Sequence, residues 1–387
     1  MRFRVERDVL AEAVAWTARS LPARPPVPVL AGLLLEAGPD GLSLSGFDYE
    51  VSARVTIAAD VIEPGRALVS GRLLADISRS LPARPVEIST DGPKVQLVCG
   101  SARFSLLTLP VEDYPTLPEM PGVTGTLSSA LFAAAVAQVA IAAGRDDTLP
   151  VLTGIRVEIE GDTVTLAATD RYRLAVRELS WRPETTGLDA IALVPARTLA
   201  ETAKSLAGAD FVAIALASGA SGEGLMGFDG SGRRTTTRLL EGEFPKYRAL
   251  LPSEALTVAD VDTASLVEAV KRVALVAERN TPVRLTFTAG ELQLDAGTGD
   301  EAQASEALAC ALDGEPLSIA FNPQFLLDGL GAVDSAVARL SFTTSNKPAV
   351  LTGGGGEGTA DSAAPKGGLG GVGGAYRYLL MPVRLSG

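Results

Sequence analysis

Pro28-Val29-Leu30, then Gly32-Leu33-Leu34-Leu35, Leu42-Ser43-Leu44 and Phe47-Asp48-Tyr49, form a pattern that the chain writes again further on. The second copy runs Pro150-Val151-Leu152, Gly154-Ile155-Arg156-Val157, Val164-Thr165-Leu166 and Thr169-Asp170-Arg171. Pro28 and Pro150 stand 122 residues apart, and so do Asp48 and Asp170. A fainter third copy starts at Pro282-Val283-Arg284-Leu285 and passes through Leu292-Gln293-Leu294 to Gly297-Thr298-Gly299-Asp300. A repeat this long predicts tandem domains rather than one large core. The 387 residues suit three domains of ordinary size. Proline clusters at 114–121 and 244–252 set the expected boundaries, giving domains over 1–121, 122–253 and 254–387. The glycine-rich stretch 353–374 is expected to be a flexible surface loop within the third domain, because strand-like text (Tyr376-Arg377-Tyr378-Leu379-Leu380-Met381) resumes after it.

Each copy divides into two halves that read as a helix followed by strands, an α+β pattern. Helices are expected over 8–21 and 71–81, 129–143 and 195–207, 265–278 and 323–331. First-copy strands are expected over 33–36, 41–45, 51–57, 86–89, 95–99 and 102–109. Alternation such as Lys94-Val95-Gln96-Leu97-Val98 is that of an antiparallel sheet with one wet face. Ser265-Leu266-Val267-Glu268 reads as a capping box, Pro195 and Pro323 as first-turn prolines, and Gly144 and Gly208 as left-handed helix ends.

Composition removes whole classes of chemistry. The chain has no histidine, which excludes Ser-His-Asp and Cys-His catalysis and histidine-ligated metals. Cys99 and Cys310 lie in different copies and are expected to be buried thiols, with neither a disulfide framework nor a zinc site. Neither a cofactor nor a metal is expected. The N-terminus alternates like a strand instead of reading as a signal peptide, and the most apolar stretch, 130–143, is too short to span a bilayer. A soluble, cytoplasmic protein without membrane association is expected.

The net charge of −12 argues, taken alone, against nucleic acid. Its distribution argues otherwise. Arg72, Asp76 and Arg79 share one helix face, and Arg197, Glu201 and Lys204 share another at the same spacing. The opposite faces are apolar, with Leu74, Ile77 and Leu81 on one and Leu199, Ala203 and Leu206 on the other. Lys271, Arg272 and Arg279 share a face in the third copy. Equivalent helices presented to one side would form a basic surface able to meet phosphates without reading bases. The last helix breaks the pattern, with Phe325 where its counterparts have Arg72 and Arg197.

On these features the chain resembles the bacterial replicative sliding clamp, the β subunit of DNA polymerase III, over its whole length. The most specific matches are Phe3-Arg4-Val5-Glu6-Arg7 with Arg24-Pro25, Ala168-Thr169-Asp170-Arg171-Tyr172-Arg173-Leu174-Ala175-Val176, Phe244-Pro245-Lys246-Tyr247-Arg248, and Met381-Pro382-Val383-Arg384-Leu385. The resemblance implies an α+β fold of three tandem clamp domains with helices on one side of antiparallel sheets, forming half of a closed ring. The ring would be a homodimer, non-catalytic, encircling double-stranded DNA without regard to sequence. Its other partners would be the DNA polymerase III α subunit, the clamp loader, and further polymerases and repair proteins bearing short clamp-binding peptides. By helix position Arg24, Arg72, Arg79, Arg197, Lys204, Lys271, Arg272 and Arg279 would face DNA. A partner-peptide groove would be lined by Leu152, Thr169, Arg171, Tyr172, Arg173, Leu174, Pro245, Leu250, Leu379, Met381 and Pro382. The dimer contact would join the edge strand Phe104-Ser105-Leu106-Leu107 to Leu275 and Val276.

Two other readings compete. Asp48 and Asp170 could serve a carboxylate- and metal-dependent enzyme, although recurrence of the same Asp at one point of two copies fits a turn cap better. A repetitive surface protein would need export signals and no basic helix faces.

Overall fold

The computed structural model describes residues 1–217, 224–277, 281–297, 302–354 and 376–384. They form two compact units. The first comprises Met1–Ala130, Arg182–Thr185 and Glu201–Leu239; the second comprises Leu131–Trp181, Thr186–Ala200 and Leu240–Gly387. The middle copy thus contributes to both.

The first unit is built on a fourteen-stranded sheet. Gly32–Gly38, Gly41–Phe47 and Val51–Ile57 form an antiparallel meander in chain order. Val51–Ile57 then pairs with Arg233–Arg238 from the second copy, with Ser52 opposite Thr236 and Arg54 opposite Arg234. The Ser52 and Thr236 hydroxyls meet at 2.6 Å in the buried part of this joint. Main-chain hydrogen bonding therefore carries the sheet from one copy into the next.

Helices Arg7–Thr17 and Gly71–Ser80 cover the sheet. Their apolar residues Leu10, Val14, Leu74 and Ile77 enter one cluster with Phe3, Leu33, Leu35 and Leu44. Each such side chain contributes about 1.5–3 kcal/mol of burial. On the sheet's other face a smaller cluster gathers Leu30, Leu34, Phe47 and Tyr114.

The second unit repeats the device in a twelve-stranded sheet. Here Arg173–Ser180 of the second copy pairs with Tyr376–Leu380 of the third, with Leu174 opposite Leu379 and Arg173 opposite Leu380.

The repeated text folds alike in the two copies. The Asp48 carboxylate accepts from the Glu50 and Val51 amides at 2.9 and 2.6 Å, and the Asp170 carboxylate accepts from Tyr172 and Arg173 at 3.0 and 3.1 Å. The intervening residues, Tyr49 (φ 76°) and Arg171 (φ 80°), both sit in the left-handed region. This is the turn-cap role expected of the repeated Asp.

Several local expectations are corrected. The helix expected from Ser265 starts at Thr263, and its cap is Asp262, whose carboxylate accepts from the Ser265 amide at 2.8 Å. Asp at this position serves the orphan amides as well as Ser does. Pro195 ends a strand, and the helix begins at Ala196; Pro323 does stand in the first turn. Neither Gly144 nor Gly208 has positive φ. Strands Asp60–Glu63 and Gly65–Ser70 were not anticipated. Gly353 and Gly354 end the strand Ala349–Gly354, and the remainder of the expected loop lies outside the described residues. Both cysteines are buried and free. No described helix is long and apolar enough to cross a membrane.

Candidate functional site

Three segments of the second unit enclose a cavity of about 730 Å³. One wall is the loop between Ala143 and Leu152, closed on itself where the Gly144 amide donates to the Leu152 carbonyl at 2.7 Å. The second is the Asp170 turn. The third is the start of helix Pro323–Gly331, which supplies Gln324, Phe325 and Asp328.

Arg173 holds the last two walls together. Its side chain is 7% exposed, yet it stays charged because Nε and Nη1 both meet carboxylates. Nε donates to Asp170 at 2.9 Å, and Nη1 donates to Asp328 at 2.5 Å. The Phe325 ring lies 4.4 Å from the guanidinium carbon. Burial alone would lower its pKa, but the bonds to Asp328, Tyr378 and Asp170 outweigh burial and raise it. Tyr378 is fully buried and donates to the Phe325 carbonyl at 2.8 Å, which anchors the helix start. Tyr172 stacks on Phe325 with ring centroids 6.2 Å apart.

The sequence-derived groove residues separate into groups. Leu152, Arg171, Tyr172 and Arg173 line the cavity. Thr169 is buried beneath the turn, donating to the Arg173 carbonyl at 2.6 Å and accepting from the Arg171 amide. Leu174 and Leu379 are buried core, packed with Phe244, Tyr247 and Val350. Leu250 and Met381 are exposed, and Pro245 and Pro382 are half-buried. The Met381 amide donates to the Tyr172 carbonyl at 2.9 Å, which ties the chain end to the turn.

Glu158 fixes the segment bearing Pro245 and Leu250. Its carboxylate accepts from Arg248 at 2.6 Å, Tyr247 at 2.7 Å and Arg156 at 2.5 Å. Burial opposes its charge, but the bonds from Arg248, Tyr247 and Arg156 prevail and hold its pKa below the usual range. The Tyr247 hydroxyl is pushed up to about 12 by burial and by its bond to Glu158.

Sequence reasoning missed Phe325 and Asp328 as parts of this site. The signal was present in the departure of Phe325 from the basic pattern of the equivalent helices.

The basic residues expected to face DNA are exposed where described. Their apolar counterparts Leu74, Ile77, Leu81, Leu199, Ala203 and Leu206 are all buried. Arg72 and Arg79 share a shallow hollow with Arg19, and Arg72 donates to the Ala23 carbonyl at 3.0 Å, next to Arg24. Arg197 and Lys204 project from helix Ala196–Leu206. Several of these cations are already paired: Arg79 with Asp76 at 3.8 Å, Lys271 with Glu268 at 2.8 Å, and Arg272 with Glu306 at 2.5 Å. Arg279 lies outside the described residues.

Strand Ala102–Leu109 pairs along one side with Lys94–Cys99, and on the other side only through Thr108 and Leu109. Among the described residues the flank of 102–107 is open. Alternation turns Ser105 and Leu107 outward, with Leu107 70% exposed. Leu106 is buried core and Phe104 packs partly against the same cluster, so these two side chains face inward while their main chain lies on the open flank. Leu275 is 83% exposed and Val276 half-buried. Strand Ala304–Asp313 has a matching open flank, pairing with Thr257–Asp262 only from Ala311 onward.

No group of three or more Asp, Glu or Cys that could hold a metal occurs among the described residues. Asp48 and Asp170 are occupied by main-chain amides and Arg173.

Tandem α+β modules with sheets continued from copy to copy define a chain of DNA-clamp domains. The family models agree. The DNA polymerase III beta subunit N-terminal domain matches residues 1–118, the central domain 126–246, and the C-terminal domain 248–366. The beta sliding clamp of Streptomyces coelicolor is 65% identical over 387 residues, covering 100% of both chains. The beta sliding clamp homolog GriR of Streptomyces muensis is 50% identical over 99% of each chain. A crystal structure of the Pseudomonas aeruginosa sliding clamp bound to griselimycin matches with TM-score 0.89 and 28% identity over 100% of both chains. The chain belongs to the DNA polymerase III beta subunit family, the beta sliding clamps. Its function is that of a non-catalytic processivity clamp in DNA replication.

Proposed function

We propose that two copies of this chain join head to tail into a closed ring around duplex DNA. The open flank at 102–107 carries the reading. An exposed, apolar, unpaired strand edge is an aggregation liability unless something covers it, and the open flank of Ala304–Asp313 offers a complementary edge on a second copy. Leu107 and Leu275 would pack beside this joint, and a head-to-tail contact of this kind closes with two subunits. The cations at Arg24, Arg72, Arg79, Arg197, Lys204, Lys271, Arg272 and Arg279 would approach phosphates. Their pairing with carboxylates would keep attraction weak enough for sliding, and the net charge of −12 would discourage nonspecific adhesion.

The cavity beside Arg173 would receive short peptides of the polymerase α subunit, the clamp loader and other replication and repair proteins. Apolar walls with a few fixed polar groups suit such ligands. A cytoplasmic location follows from this role, and the domain boundaries are those of the three copies, at about residues 121 and 253.

Sedimentation velocity tests the assembly. The wild type should sediment as a dimer at micromolar concentration, and Leu107→Asp combined with Leu275→Asp should sediment as a folded monomer. A wild-type monomer would contradict the ring.

A further inference from the structure

The joint between the first two copies sets like charges against each other. Val51–Ile57 runs antiparallel to Arg233–Arg238, and Arg54 stands directly opposite Arg234. Like charges so placed repel and weaken a strand pair. Ala53 and Val55, on either side of Arg54, enter the helix-side cluster, so alternation turns Arg54 and its partner Arg234 to the other face of the sheet. That face is not the one covered by the helix bearing Arg72 and Arg79.

Each arginine is drawn away from the other by a carboxylate. Arg234 Nε donates to Asp229 at 2.6 Å, on the next strand outward. Arg54 leans over Ser43 toward Glu36, two strands away, with Nε 3.4 Å from the Ser43 hydroxyl and Nη2 3.6 Å from the Glu36 carboxylate. The Glu36 contact is too long for a hydrogen bond. Among the described residues neither guanidinium makes a further hydrogen bond or ion pair, so both keep open N–H donors.

Both arginines line a hollow of about 480 Å³, together with Glu36, Ser43 and Thr56. The Ser43 and Thr56 hydroxyls meet at 2.8 Å; one donates to the other, whose own hydrogen is left to point outward. Asp40 also lines the hollow, but from the turn between Gly38 and Gly41, at the end away from the arginine row. At Gly232 a Cβ would meet only the Thr56 carbonyl, at 3.7 Å, so a glycine already fixed by its turn (φ 74°) leaves this space open.

We propose that the hollow binds a doubly charged tetrahedral oxyanion of the phosphate class, which bridges Arg54 of the first copy to Arg234 of the second. The anion accepts from both guanidinium groups, whose forked donors match phosphate oxygens, and from the free hydroxyl of the Ser43–Thr56 pair. It turns a repulsive contact across the joint into an attractive one.

A double-substitution cycle on thermal unfolding tests it. Wild type, Arg54→Gln, Arg234→Gln and the double variant are melted in inorganic phosphate and in chloride of equal ionic strength, at mildly alkaline pH where phosphate is a dianion. Both side chains are exposed, and the melts in chloride show that each variant folds. Phosphate stabilises proteins generally by exclusion from their surface, and it also meets the basic helices; both effects are common to the four proteins and cancel. Beyond them the wild type should gain about 2–4 °C, the order expected when one site is mostly filled. Each single variant should lose most of that gain and the double variant all of it. In chloride the coupling between the two arginines should be unfavourable, and in phosphate it should reverse sign. Glycerol phosphate in place of inorganic phosphate separates two sources of the group: an equal gain extends the site to monoesters, and no gain confines it to the free ion. A gain of the same size in all four proteins, or a coupling that is the same in both salts, overturns the site.

Discussion

Arg173, from the second copy of the repeat, and Asp328, from the third, form a 2.5 Å ion pair at the base of the cavity. The Arg173 side chain is 7% exposed and that of Asp328 26%. The pair therefore does two jobs at once, tying a turn to a helix start and setting the shape of the wall between them.

Asp328→Ala should cost about 1.5–3 kcal/mol, the range for a hydrogen bond to a charged group. It leaves Arg173 with Asp170 as its remaining carboxylate. Urea unfolding of the wild type and variant measures the loss, and peptide binding at the cavity should weaken with it.

Glu158→Gln should destabilise the protein at neutral pH and much less in acid. The folded pKa of Glu158 is depressed, so its stabilising contribution is fully present above the unfolded carboxylate value of about 4.3 and is lost as pH falls through the lower folded value. The gap between wild-type and variant stability, followed from pH 7 downward, should close in that acid window. A gap that stays constant would show that the carboxylate's charge is not what matters.

Tyr172→Ala should change stability by no more than about 0.5–1.5 kcal/mol, since it removes one aromatic pair. Its effect on peptide binding should be larger than that small change suggests, because Tyr172 lines the cavity and stacks on Phe325. Thermal unfolding and anisotropy on one preparation separate the two effects.

Arg79→Ala should lower the slope of log affinity against log salt for duplex DNA by less than the full value of about 0.9 per phosphate contact. Arg79 is already shared with Asp76. Asp76→Asn frees it and should steepen the slope.

What could be read in the sequence follows from range. The Asp48 and Asp170 turns depend on amides two and three residues away, so their role was visible in the repeat. The buried faces of the helices followed from their period. The capping residue was misplaced by three positions, because Asp262 closes the strand Thr257–Asp262 and opens the helix at once. Strands Asp60–Glu63 and Gly65–Ser70 are short and carry charged residues, which hides their alternation. The cavity's third wall was invisible to local reading, since Asp328 reaches Arg173 across 155 residues of chain. Sequence pattern also does not tell a groove's lining from the core beneath it, and the burial of Leu174 and Leu379 was not legible there.

The central claim is that the chain holds DNA by enclosing it. The most direct measurement compares retention on nicked circular duplex with retention on the same DNA cut once, after loading by a clamp loader, at a salt concentration that removes simple electrostatic binding. The protein should stay on the circle and leave the linear form within the time of gel filtration. Equal retention on both would contradict enclosure.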